Sequence, residues 1–319
     1  MKRGSRLVGV VAAVVLLGLS ACSSALAQLG QPRNVVLIGW DGLQRNHLKE
    51  MIAAGQMPNL MNLVAHGSLV AIDVVRITDT KAGWSQILTG YEPEVTGVFS
   101  NSNYSPIPVG YTVFERLEKY FGSDNIYTAA VIGKLNHLGA APPTGTTPGE
   151  PYYYTQSNMD LFVNGLGAAD NVGARALQVL TDHGTGRFFL FIHFQEPDSF
   201  GHPFGENSAE YTTSVQYDDE WLGRIVQKLE ELGVRSRTMI YVTADHGFDE
   251  GKTTHADAPY VFLASDDPFV MQRGLREDIT PTVLWSFGID PANIWQIRMK
   301  LHPPLDGHPL QRNYKPPIW

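Results

Sequence analysis

The chain has 319 residues, with 24 Lys+Arg against 32 Asp+Glu for a formal charge of −8, and 43% of it is apolar. That is enough for the core of one large or two small domains, while a charged fraction of 18% and glycines without a triplet period exclude a disordered or collagen-like chain. The single cysteine excludes a disulfide scaffold, and the acidic balance argues against nucleic-acid binding by a basic surface.

Lys2, Arg3 and Arg6 precede the apolar run Leu7 to Leu19, which is short for a bilayer span and is followed by small residues. Residues 1–27 therefore read as an export signal. Two cleavage sites compete: Leu19-Ser20-Ala21-Cys22 has the wording of a bacterial lipoprotein box, and Ala25-Leu26-Ala27 that of an ordinary signal-peptidase site. Cys22 stands where a lipid acceptor belongs, which favours a lipoprotein attached to a membrane through lipidated Cys22. Either route places the protein outside the cytoplasm, as a periplasmic or membrane-anchored chain.

From residue 34 onward, short apolar runs alternate with amphipathic stretches. The pattern predicts strands at Asn34 to Gly39, Val70 to Ile77, Tyr127 to Ile132, Phe188 to Phe194, Thr238 to Thr243 and Tyr260 to Ala264. Helices are expected at Arg45 to Ala54, from Trp84 to a stop at Gly90, at Thr112 to Phe121 and at Ala174 to His183. A longer helix carries Val215, Leu222, Ile225, Val226, Leu229 and Leu232 on one face. Strands alternating with helices imply an α/β layered fold with a mostly parallel central sheet flanked by helices. Residues 30–310 are expected to form a single catalytic domain, with a Pro/Gly/Thr-rich surface excursion near 140–160.

In open α/β sheets, ligands collect at the carboxyl ends of strands. Polar residues load four such ends: Asp41; Thr78-Asp79-Thr80; Glu196-Pro197-Asp198-Ser199-Phe200-Gly201-His202; and Asp245-His246-Gly247. Mixed carboxylate and imidazole donors suit zinc or a similar transition metal better than magnesium or calcium. A single Asp-His pair after a strand is commonly a turn, but several carboxylates gathered at adjacent strand ends need cations to offset their burial. The remaining histidines take plainer readings: His193 as a core residue or a support for a ligand, and His47, His66, His137 and His183 as surface or capping groups. Glu196 could orient a ligand, though a strand-end glutamate before Pro197 needs no function, and Tyr152 to Tyr154 could line a substrate entrance, though a packed loop is favoured.

These residues stand in the order and local wording of the alkaline phosphatase superfamily, and most resemble its type I phosphodiesterase/nucleotide pyrophosphatase branch. Residues 196–202 are similar to that branch's E-P-D-x-x-G-H segment and residues 244–247 to its S/A-D-H-G segment. Thr80 precedes Thr89-Gly90 by the spacing the superfamily uses between its nucleophile and a T-G pair, which favours Thr80 over Thr78. The resemblance implies an alkaline phosphatase-like fold and two divalent metal ions, best met by zinc. Asp41, Thr80, Asp245 and His246 would hold one ion, and Asp198, His202 and His255 the other. His302 and His308 are alternatives to His255. It further implies Thr80 as nucleophile through a phosphothreonine intermediate, and Asn101, with Asn103 as alternative, as amide donor to the phosphoryl oxygen.

The implied activity is that of a metal-dependent phosphodiesterase/phosphatase acting on a small phosphate-ester substrate. A phosphonate hydrolase or headgroup phosphotransferase of the same superfamily is the alternative, and a noncatalytic surface lipoprotein the alternative of another class. Lys81-Ala82-Gly83-Trp84 replaces the branch's aromatic-Pro-Asn-His run, which removes its nucleotide-gripping residues. Sulfatases of the superfamily use a nucleophile made from Cys or Ser, whereas position 80 is Thr.

Overall fold

A computed structural model describes residues 34–292, 302–312 and 314, so the expected export segment, Cys22 and both cleavage sites lie outside the described residues. In chain order the strands are β1 (Asn34–Trp40), β2 (Ser68–Asp73), β3 (Tyr127–Ile132), β4 (Leu161–Val163), β5 (Phe188–Phe194), β6 (Thr238–Thr243), β7 (Tyr260–Ser265) and β8 (Gly274–Leu275). They form one sheet in the order β4-β3-β5-β1-β6-β7-β2-β8. Every pairing is parallel except those of β7 with β6 and β2. The sequence of β5, FFLFIHF, is buried at all seven positions, because a central parallel strand is covered on both faces.

The helices are α1 (Arg45–Ala53), α2 (Pro58–Val64), α3 (Thr80–Thr89), α4 (Pro93–Thr96), α5 (Val113–Phe121), α6 (Ala169–His183), α7 (Glu196–Phe204), α8 (Ala209–Glu231) and α9 (Ile279–Ser286). Alternate residues of β5 show how the layers form. Phe189 meets Phe114 of α5, while Phe191 and His193 meet Trp84 of α3, so one face of the sheet carries α3 and α5, with α9 packed on both. On the other face α8 gathers α2, α6 and α7 around it. Val215, Leu222, Ile225 and Leu229 are buried along α8, as their spacing requires, whereas Val226 is only half-buried.

Two expectations need correction, and one stretch lies outside the predicted elements. The strand predicted over Val70 to Ile77 ends at Asp73, and Arg76, with a left-handed φ of 65°, turns the chain before Thr80 opens a helix. Helix α3 starts at Thr80, not Trp84, and all ten of its residues are buried. Its first turn therefore lacks the polar/apolar alternation by which a surface helix is recognised. The stretch after β5 is helical: Pro197 is tolerated in the first turn, and α7 places Asp198 and His202 one turn apart on one face.

The excursion is exposed over residues 141–148, but its base is tied to α3. The Tyr152 hydroxyl donates to the Trp84 carbonyl at 3.0 Å, and Glu150 pairs with Lys81 at 3.0 Å. Among the described residues, no helix is long and apolar enough to cross a membrane.

Candidate active site

Four adjacent parallel strands deliver the polar residues to one edge. In sheet order β3, β5, β1 and β6 are followed by Lys134, Asp198, Asp41 and Asp245. Gly42 makes the turn after β1 with φ +76°, and its N–H donates to Asp245 Oδ1 at 3.2 Å. Thr80, 2% exposed, opens α3 beneath these ends. Helix α3 approaches so closely because Gly39 has no side chain: a Cβ there would lie 2.2 Å from the Trp84 ring.

The geometry centres on His246. Its Nδ1 lies 3.0 Å from the Gly247 carbonyl, a pure acceptor, so Nδ1 carries the proton and Nε2 keeps its lone pair. Nε2 lies 3.3 Å from Thr80 Oγ1, 3.6 Å from Asp41 Oδ1, 3.5 Å from Asp245 Oδ2 and 3.7 Å from Asp198 Oδ1. His202 Nδ1 donates to the Thr253 carbonyl at 3.0 Å and its Nε2 faces Asp198 Oδ1 at 3.3 Å, a contact that raises the ring's pKa above the usual imidazole value. His255 stacks on His246, with ring centroids 4.1 Å apart. Its loop is held by Asp249, which accepts from the Thr254 hydroxyl and the Asp257 N–H, each at 2.9 Å. That turn brings a histidine close in sequence to His246 back beside it.

Two groups of donors result, Asp41 with Asp198 and His246, and Asp198 with His202 and His255. In each, the donor atoms lie within 4.8 Å of one another, and the groups share Asp198. Asp198 Oδ1 and Asp245 Oδ2 are buried without a hydrogen-bond donor. Orphaned carboxylate oxygens beside the unprotonated His246 Nε2 are the surroundings a divalent cation fits.

The electrostatics point the same way. Burial would raise Asp41, but the Lys134 ammonium, His193 and His246 outweigh it and hold its carboxyl well below the usual range. Burial and the charge of Asp41 likewise press Asp198 upward, yet contacts with His202, Lys134 and His246 bring it down. Asp245 is not so relieved: burial and then the charge of Asp41 push it well above the ordinary value. One ammonium does not neutralise three buried carboxyls, and more positive charge would. Burial lowers His246 and, together with the neighbouring His246, lowers His255 to about 4, so both rings stay neutral as ligation requires.

The structure thus brings together Asp41, Thr80, Asp198, His202, Asp245, His246 and His255. Asn101 is beside them: its Oδ1 accepts from the Lys81 N–H at 2.9 Å, which leaves its amide nitrogen as the donor at the start of α3. Asn103 is exposed and turned into its own loop, and Thr78 is half-buried outside the cluster. His302 packs edge-on against Tyr111 and His308 lies beside Tyr314, so neither enters the donor groups.

Sequence reasoning missed Lys134, whose Nζ donates to Asp41 Oδ1 at 2.8 Å and Asp198 Oδ2 at 2.7 Å and lies 3.4 Å from Thr80 Oγ1. A lysine just past a central strand was the available signal. His193 is more than a core residue, because its Nε2 donates to Asp41 Oδ2 at 2.8 Å, as does Trp84 Nε1 at 3.2 Å. Glu196, read as needing no function, accepts from the N–H that opens α6.

A mostly parallel, helix-covered sheet that converges oxygen and imidazole donors at its carboxyl edge defines an alkaline phosphatase-like protein. Residues 35–297 match the family of type I phosphodiesterase / nucleotide pyrophosphatase, and the chain belongs to that family. It is 24% identical over 233 residues to bis(5'-adenosyl)-triphosphatase ENPP4 of Homo sapiens, an alignment that covers 69% of this chain and 48% of that one. It is 24% identical over 225 residues to venom phosphodiesterase 2 of Crotalus adamanteus, covering 68% and 27%. The chain therefore spans about half the length, or less, of these curated relatives. Among solved structures, the phosphonate monoester hydrolase of Agrobacterium radiobacter superposes with a TM-score of 0.58 at 16% identity, over 91% of this chain and 79% of that one.

Proposed function

We propose that the chain is an extracytoplasmic, metal-dependent phosphoric ester hydrolase, a phosphodiesterase/phosphatase with Thr80 as nucleophile at a two-zinc site. The observation that carries this reading is the buried Thr80 hydroxyl at the start of α3, 3.3 Å from His246 Nε2, a nitrogen that oxygens of three aspartates approach at 3.5 to 3.7 Å. Asp41, Thr80, Asp245 and His246 would hold one ion, and Asp198, His202 and His255 the other. Bound there, the ions supply positive charge that eases ionisation of the hydroxyl and offsets charge on the leaving oxygen.

The chain's own groups do the rest. Thr80 Oγ1 attacks phosphorus as the bond to the ester oxygen breaks, giving a phosphothreonine that water then hydrolyses. The Asn101 amide nitrogen donates to a phosphoryl oxygen, and the free N–H groups of α3 favour the phosphate's negative charge. His193 and Trp84 keep Asp41 turned toward the hydroxyl. Residues 30–310 form the catalytic domain in this reading, and residues 1–27 direct its export, with Cys22 as lipid acceptor. Lacking the branch's aromatic-Pro-Asn-His run after Thr80, the chain would take an ester with a small organic group in place of a nucleotide.

The test is to incubate zinc-loaded protein with nitrophenyl phosphate, bis-nitrophenyl phosphate and a nitrophenyl phosphonate ester. Release from a phosphate ester, lost by at least roughly 10³-fold in Thr80→Ala with zinc content unchanged, supports the proposal. Turnover confined to the phosphonate ester would move it to a phosphonate hydrolase. No release from any substrate with zinc bound would leave a noncatalytic binding protein.

A further inference from the structure

We infer that Lys134 is an internal counter-cation of this site, one that holds its carboxylates together and competes with metal for them. The inference rests on the reading of Asp41 and Asp198 as metal ligands. Asp41 has two oxygens, and Oδ2 is already taken by His193 Nε2 at 2.8 Å and Trp84 Nε1 at 3.2 Å. Oδ1 is therefore the oxygen left for a cation, and Lys134 Nζ donates to it at 2.8 Å. The same ammonium donates to Asp198 Oδ2 at 2.7 Å, joining the carboxylates that begin on β1 and α7. Asp198 belongs to both donor groups and Asp41 to one, so the ammonium touches both groups at once.

Nor is the lysine loosely placed. Its side chain is 11% exposed, and the Gly133 N–H before it is bonded to the His193 carbonyl at 3.0 Å. The Lys134 carbonyl accepts from the Gly165 N–H at 3.3 Å. Its backbone is thus fixed to the neighbouring strand, while its flexible stem lets the head group move. An ammonium and a divalent ion cannot both sit against Asp41 Oδ1 without strong like-charge repulsion. When an ion binds to Asp41 and Asp198, the Lys134 head group withdraws. The lysine therefore raises the stability of the metal-free protein and weakens its hold on the ion.

The experiment reads stability and metal binding, not turnover. Wild type, Lys134→Met and Lys134→Arg are stripped with a chelator, melted, and titrated with zinc against a chromophoric chelator. Lys134→Met is expected to melt lower than wild type without metal, since Asp41 Oδ1 and Asp198 Oδ2 lose the ammonium that pairs them, and to bind zinc roughly tenfold or more tightly. If Lys134→Met folds only with zinc present, the stability arm is met in its strongest form. Zinc binding is then read on Lys134→Arg, which keeps the charge in a larger head group and must bind zinc more weakly than wild type. Equal or weaker zinc binding by Lys134→Met, equal melting of the two stripped proteins, or unweakened binding by Lys134→Arg overturns the inference. Failure of wild type and every variant to bind zinc overturns the metal reading itself, which separates the two.

Discussion

Asp41 carries the heaviest set of contacts in the site: His193 and Trp84 on one oxygen, Lys134 on the other, and His246 close by. Replacing His193 with Leu removes the charge-assisted hydrogen bond that orients Asp41 while keeping an apolar side chain in its place. Zinc affinity is expected to fall about 10- to 100-fold, and His193→Gln, which restores a donor, should recover part of it, as measured by chelator competition. Unchanged affinity in His193→Leu would mean that Asp41 needs no such orientation. The aspartates and histidines of this cluster could be picked out in the sequence because they follow apolar runs and carry donor atoms. Lys134 was harder to pick out, because lysine is not a metal ligand and its place just past a central strand was its signal. His193 was legible as a core residue or a support for a ligand, but FFLFIHF does not name Asp41 as its partner far along the chain.

At the scale of elements, the site depends on how closely α3 approaches β1. Gly39→Ala would drive a methyl group into the Trp84 ring, which has no room to move because all of α3 is buried. A stability loss on the order of 3 kcal/mol is expected in urea denaturation. It should be accompanied by weaker zinc binding, since Trp84, whose Nε1 donates to Asp41 Oδ2 at 3.2 Å, would be displaced. A variant of wild-type stability would show that the helix has slack. Strands β3, β5 and β6 run over the residues expected from their apolar runs, because period and burial agree there. Helix α7 was not expected: Pro197, Gly201 and Pro203 are poor helix formers, and the turn is held by packing against α8 that no local pattern encodes.

Across the whole molecule, pH acts on carboxyls remote from the nucleophile. Burial, and then proximity to Glu92, raises Glu277 from 4.5 to about 7. The folded state therefore holds this proton more tightly than the unfolded chain. The associated stability is complete below the unfolded value and is lost as pH rises through about 7. Wild type should lose up to about 3 kcal/mol between roughly pH 5 and pH 8 from this group, and Glu277→Gln should lose less. Glu118, also raised to about 7 by burial, titrates with the same sign, so the slope is reduced and not abolished. Parallel melting curves for the two proteins at both pH values would contradict this.

Export and lipid attachment are whole-chain proposals that rest on residues 1–27, outside the described fold.

If Thr80 is the nucleophile, its Oγ1 carries phosphorus during each turnover. Zinc-loaded wild-type protein mixed with bis-nitrophenyl phosphate, quenched in acid within one turnover and digested, is to be analysed by mass spectrometry for a phosphoryl group on the peptide containing Thr80. The expected result is a nitrophenyl-phosphoryl or phosphoryl adduct on Thr80 and on no other residue. Rapid turnover with that peptide unmodified, or with the adduct on another side chain, would contradict it.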